Sequence, residues 1–200
     1  KKECQDKQHI IWLDYDEAKC LIMAGRLIQA REFIIPVLLK KQTESWAWGA
    51  LAATYRKESP TTAITLFCKA LCHARDEKFS LPLLKGVAPL LAANGQLAAA
   101  SMCVRSAIDC YVSNGWKIKP ELEKLSAQAW YDNSVNTSEL SQYCQVHSEG
   151  AVDLLHGPSE QCVAIISSVH QSGKGFDAYI NLSLFTTDAA DREKGGNIGR

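Results

Sequence analysis

Apolar side chains recur every three or four positions over most of the chain, the period of helices that bury one face. The pattern also repeats as a whole, at roughly the 34-residue interval of helix-pair repeats. In the first copy Ala18 and Leu21 lead to Ala24-Gly25-Arg26, and Ala30, Ile34 and Val37 follow at the spacing of a second helix. In the second copy Trp48, Leu51, Ala52 and Tyr55 precede Ala63, Phe67 and Ala70. In the third, Leu84, Val87, Ala88 and Leu91 run into Asn94-Gly95, and Ala100, Val104 and Ala107 complete the pair.

Small residues at matching offsets have a physical use. Helix axes approach closely only where the side chains between them are short, here Ala18, Ala52 and Ala88 on the first helices and Ala30, Ala63 and Ala100 on the second. Gly25 and Gly95 fall between paired helices, where a left-handed backbone is needed to reverse the chain. In the second copy Glu58-Ser59-Pro60 takes that place, with Pro60 suited to a first helical turn. The expected architecture is mainly α, a tetratricopeptide-like (TPR-like) stack of antiparallel helix hairpins. Three unrelated amphipathic pairs in an ordinary bundle is the alternative. Pro36 and Pro89 lie inside predicted helices and are expected to kink them or shorten them by a turn.

Helix is predicted to about Val112, ended by Ser113-Asn114-Gly115. A helix from Glu121 to Trp130 then offers Leu122, Leu125 and Trp130 as a cap for the last apolar face. After a polar loop, Ser138 and Glu139 start a further helix to about Leu155, which Gly157-Pro158 closes. The repeat domain is therefore placed at residues 1–157. Beyond it the pattern turns extended: two β-rich runs, 161–170 and 176–185, flank Ser172-Gly173-Lys174-Gly175 and predict a small β hairpin or partial OB-like barrel at 158–200. The stretch from Thr186 is polar and Gly-rich and is expected to be mobile.

Composition narrows the function. With 46% hydrophobic residues the chain can bury a core, and with 22 basic against 22 acidic residues no global field draws it to nucleic acid or an anionic surface. No apolar run is long enough for a bilayer, and Lys1-Lys2-Glu3-Cys4-Gln5 lacks the character of a signal peptide, so a cytoplasmic location is expected. The eight cysteines lie scattered in apolar helical patterns without a Cys-x-x-Cys pair, and are expected to be small buried hydrophobes. Cys68, Cys72 and His73 come nearest to a metal-ligand cluster but lack a second pair. No cofactor is called for.

No catalytic constellation stands out among the histidines or paired carboxylates, and Lys174 lacks the flanking spacing of a phosphate-cradling loop. The expected protein is thus not an enzyme. Two binding surfaces are predicted instead. The inner helices of such a stack line a groove for a protein or peptide, with Trp12, Tyr15, Lys19, Trp46, Gly49, Arg56 and Lys57 at its positions. On the hairpin, Lys174, Phe176 and Tyr179, with His170 on the adjoining strand, suit stacking on single-stranded RNA or DNA beside a basic turn. Alternation puts Phe176 and Tyr179 on opposite faces, so only one of them can project outward. A hairpin that packs on the helices or pairs with another chain is the competing reading. The sequence leaves the oligomeric state open.

Several segments carry a resemblance: Ala24-Gly25-Arg26-Leu27, Ala30-Arg31-Glu32, Ile35-Pro36-Val37-Leu38, Trp46-Ala47-Trp48, Cys68-Lys69-Ala70-Leu71 and Asn114-Gly115-Trp116-Lys117-Ile118. They are similar to those of a bacterial family of TPR-like proteins in which a cold-shock-like β domain follows the helices, some members being associated with TOTE-type conflict systems. The resemblance covers the chain to about Trp130. It implies a nucleic-acid-associated adaptor in bacterial defence and no catalytic residues, with a pure protein-interaction scaffold as the alternative.

Overall fold

The computed structural model describes residues 7–156, 164–169 and 176–180. The chain divides into two units, Lys1–Gly157 and Pro158–Arg200. The first is helical. Three pairs follow one another along the chain: α1 (Lys7–Met23) with α2 (Leu27–Lys40), α3 (Ser45–Tyr55) with α4 (Pro60–Cys72), and α5 (Glu77–Ala93) with α6 (Leu97–Ser113). Then come α7 (Pro120–Ser126), a 3-10 turn (Thr137–Glu139), α8 (Leu140–His147) and α9 (Ala151–His156). Among the described residues, no helix is long and apolar enough to cross a membrane.

The pairs lie in sequence order. Each packs on the next, α2 on α3 and α4 on α5, and the first helices also meet directly, α1 on α3 and α3 on α5. All six alanines of the repeat, Ala18, Ala52, Ala88, Ala30, Ala63 and Ala100, have no exposed surface. Their burial is the physical basis of the packing, because a larger side chain at any of them would hold two helices apart. Around them Ile34, Leu38, Trp48, Leu51, Phe67, Val87, Leu91 and Val104 fill one continuous core. Trp48 satisfies its indole N–H by donating to the Gln42 carbonyl oxygen at 2.7 Å, so a polar atom enters the core without loss.

Local signals explain the ends of these helices. Gly25 and Gly95 have φ of 75° and 77°. After each, the next residue donates back to the chain, Arg26 to Leu21 O and Gln96 to Leu91 O, both at 2.9 Å, which satisfies carbonyls the helix would leave unpaired. Pro60 opens α4 behind Ser59, whose hydroxyl oxygen accepts from Thr62 N–H. Pro36, Pro82 and Pro89 sit within helices that run on past them. All three are on the exposed side, where water can take the carbonyls that proline leaves without a donor. The expected effect is a kink or a helix shorter by a turn, and the helices do not end at Pro36 or Pro89.

The expected capping helix is α7, whose Leu122 is fully buried against the row. It stops at Ser126 rather than Trp130, because the following backbone is held by α6: Ser101 Oγ donates to Trp130 O at 3.3 Å and accepts from Asp132 N–H at 3.0 Å. Asn136, not Ser138, caps the next turn by accepting from Ser138 N–H. The single helix expected to Leu155 is two. Gly150, at φ 79°, breaks it between α8 and α9.

These last helices do not lengthen the row. They return along it, α8 packing on α4 and touching α6, and α9 touching α4. Tyr143 Oη donates to Gln96 Oε1 at 2.6 Å, which fixes α8 against the start of α6.

In the second unit Ala164–Val169 (β1) and Phe176–Ile180 (β2) pair antiparallel, with Ile165 opposite Tyr179 and Val169 opposite Phe176 and an irregularity between Ile166 and Ser168. The predicted turn at 171–175, the rest of the predicted strands and the tail from Thr186 lie outside the described residues.

Candidate functional site

Trp12, Tyr15 and Lys19 follow at i, i+3 and i+7 on α1, so they share one face of that helix. Trp46 stands at the start of α3, the first helix of the next pair, and the packing of α1 on α3 brings all four together. The Trp12 and Trp46 rings stack, with centroids 5.2 Å apart and planes 28° from parallel. Tyr15 meets Trp46 edge-on at 4.4 Å. Trp46 is oriented by its indole N–H, which donates to Glu44 Oε2 at 3.2 Å.

The cluster is only half covered. Trp12 keeps 50% of its surface exposed. Lys19 Nζ lies 5.4 Å from the Tyr15 ring centre and 3.5 Å from Asp16 Oδ1, so the rim of the patch carries both charges. Burial, and secondarily the Asp16 carboxylate, raises the Tyr15 pKa, which keeps the phenol protonated. Rigid aromatic surface with one open flank and a charged edge is suited to gripping an extended apolar segment.

Arg56 and Lys57 do not join this cluster. They follow the end of α3, roughly 15 Å along the axis from Trp46 at the rise of an α-helix. Both are exposed, but the Arg56 guanidinium packs 5.0 Å from the Phe67 ring centre, where partial desolvation lowers its pKa. Gly49 is not a groove position either. It is buried at the closest approach of α3 and α5, where an added Cβ would fall 2.5 Å from Leu83 Cδ2. Gly86 on α5 is also closely packed, since a Cβ there would meet the Arg56 guanidinium and the Phe67 ring of α4. Sequence reading missed Gly86; a Gly in mid-helix, where it costs stability, was the available signal.

Arg31 was also missed as a structural residue. Nearly buried on α2, it donates to Thr54 Oγ1 at 3.1 Å and Thr54 O at 2.9 Å, lies 3.7 Å from the Tyr55 ring centre and pairs with Glu58. It thus ties the first pair to the end of α3 and satisfies a terminal carbonyl.

The hairpin candidates His170 and Lys174 lie outside the described residues, and Phe176 and Tyr179 are placed only as backbone positions of β2. Among the described cysteines, Cys68, Cys103, Cys110 and Cys144 are buried as expected, but Cys20 and Cys72 are exposed. Among the described residues, no three His, Cys, Asp or Glu side chains are grouped to hold a metal ion. Clefts open among the described residues of the helical unit. One of about 330 Å³ lies between the end of α5 and the residues of and after α7, lined by Pro89, Ala92, Leu125 and Trp130. Another, of about 270 Å³, lies where α4, α5 and α6 meet α8, lined by Leu71, Cys72, Leu84, Thr137, Leu140 and Cys144 among others.

The model of one family, described as a domain of unknown function (DUF7017), matches residues 11–151. The chain belongs to this family. The match runs from α1 to the start of α9, so the DUF7017 unit includes both the row of pairs and the helices that return along it. No curated protein and no solved structure matches the chain.

Proposed function

We propose that this DUF7017 chain is a non-enzymatic adaptor of TPR-like build, whose first-helix face binds an extended segment of a protein partner. The observation that carries the reading is the open aromatic cluster of Trp12, Tyr15 and Trp46. Two successive pairs build it, and it is left half exposed in a unit with enough core to hide it. The six buried alanines and the sequence-ordered packing support the TPR-like assignment, since that register is what nesting of such hairpins demands. The test is co-purification of the full chain against Trp12→Ala with Lys19→Glu, with Lys124→Ala on α7 as a control. The reading requires a protein that is retained by wild type and Lys124→Ala and lost from the double variant. Equal retention by all three would sink it.

A second reading adds single-stranded nucleic acid through an OB-like C-terminal module. The antiparallel pairing of β1 with β2, which carries Phe176 and Tyr179 on one strand, favours it. A labelled single-stranded oligonucleotide should shift at low salt, less so at high salt, and less still with Lys174→Ala and Tyr179→Ala together. No shift at low salt would leave the protein-binding reading alone.

A further inference from the structure

The first helices of the three pairs hold equivalent places in the row, and the register of Ala18, Ala52 and Ala88 says which of their residues correspond. At that register Leu13 of α1 matches Ala47 of α3 and Leu83 of α5, Glu17 matches Leu51 and Val87, and Cys20 matches Thr54 and Leu90. On α3 this side receives α2. Arg31 donates to Thr54 Oγ1 and to Thr54 O, and Ala47 and Thr54 keep no exposed surface. On α5 the same side lies against the preceding pair: Leu83 Cδ2 fills the space that a Cβ on Gly49 would take, and Leu83 and Val87 are buried. Inside the row, this side of a first helix is thus covered by the pair before it.

On α1 the same side is open. Leu13 is 60% exposed and Ile10 40%, and Glu17 and Cys20 are exposed as well. Steps of three and four residues put positions 10, 13, 17 and 20 on one helical stripe, which α2 and α3 leave wet although both pack on α1. The stripe is not the aromatic cluster, since Leu13 follows Trp12 by one residue, about 100° round the helix. Its charged member is Glu17, which stands where α3 and α5 have Leu51 and Val87 and which enters none of the ion pairs among the described residues.

We propose that this stripe docks an amphipathic helix of a partner protein. The helix takes on α1 the place that α2 takes on α3, with apolar residues on Ile10, Leu13 and Cys20 and an Arg or Lys against Glu17. Continuity with the row argues for a helix, because both equivalent surfaces inside it are covered by helix pairs packed in that place. Glu17 sets the charge of the partner. A purely apolar cover would desolvate the carboxylate without compensation, whereas a cation opposite it restores what water supplied. A second copy of the chain fits less well: its α2 is already packed on its own α1 and α3, and its Leu13 stripe brings another acid.

The test uses the full chain and two fluorescein-labelled synthetic helices of about 18 residues, sharing a leucine stripe, with a polar face of lysine in one and glutamate in the other. Fluorescence anisotropy should show saturable binding of the lysine peptide and binding of the glutamate peptide weaker by about tenfold or more. Leu13→Gln, at an exposed position outside the core, should weaken the lysine peptide by about tenfold. Glu17→Lys should reverse the preference between the two peptides, and Trp12→Ala should change neither. Alkylation of Cys20, mapped by mass spectrometry, should be fast in the chain alone and slowed by the lysine peptide. No saturable binding of the lysine peptide, equal binding of both, indifference to Leu13→Gln or loss with Trp12→Ala would each overturn the proposal. So would slow alkylation of Cys20 in the chain alone: slowing that grows with protein concentration would assign the stripe to a second copy, and slowing at every concentration to the rest of the same chain.

Discussion

The two faces of the helical unit are finished in opposite ways. The second-helix side, formed by α4 and α6, is covered by the returning α8, which seals Cys68, Cys103 and Cys144 within the core. The first-helix side at α1 and α3 is left with Trp12 half exposed on Trp46. Apolar surface is costly to leave wet, at about 25 cal/mol per Å². Among the described residues, α8 covers the one side and no helix lies over the Trp12 face of the other.

The contrast can be broken most sharply on the covered side. Leu122 is fully buried under α7, and Leu122→Ala should cost about 2–5 kcal/mol, read as a lowered urea midpoint with an unchanged slope. A loss below that range would mean that α7 rests on the row without being part of its core. Gly150 tests the turn that lets α9 reach α4. At φ 79° an alanine is strained by about 1–2 kcal/mol whatever space surrounds it, and amide exchange should rise first in α8 and α9.

The open side predicts the opposite balance of stability and binding. Trp12→Ala should lower stability by about 1–3 kcal/mol in the same urea titration, less than truncation of a fully buried tryptophan, since it loses a stacked ring and half of a side chain's burial. It should nevertheless abolish partner retention. A large stability loss would show that Trp12 belongs to the core. The smallest effect concerns the tie between the first two pairs. Hydrogen bonding from Arg31 holds the Glu58 pKa below 4.5, so its contribution is complete above that value and is lost as pH falls through the lowered one. Glu58→Gln should remove that part of the acid dependence of the thermal midpoint and leave the profile above pH 5 parallel to wild type.

Different parts of this fold were legible to different degrees. The helix pairs could be read because alanine at a fixed interval, a reversal at Gly25 or Gly95 and a proline at position 60 each act within a turn or two of themselves. The helices after Val112 could be read as helices but not placed. Leu140, Tyr143 and Cys144 announce a face to be buried, and nothing in their spacing says whether it caps the last pair or returns to α4. Of the groove candidates, Trp12, Tyr15, Lys19 and Trp46 converge, whereas Gly49 and Arg56 are used in packing between α3 and α5. Offsets within a repeat give a residue's direction from its own helix, but not what the neighbouring helix puts in front of it.

By itself the sequence determined a mainly helical chain, the pairing of α1 to α6 and the positions where helix axes come close, because these follow from local periodicity and from the size of single side chains. Only the tertiary structure decided that α8 lies on α4, that Cys144 of α8 is buried there, and that one tryptophan of two stays wet while the other stacks beneath it. Those outcomes depend on which surfaces meet across long stretches of chain, and the balance that selects them is a sum over many weak burials that no short segment contains.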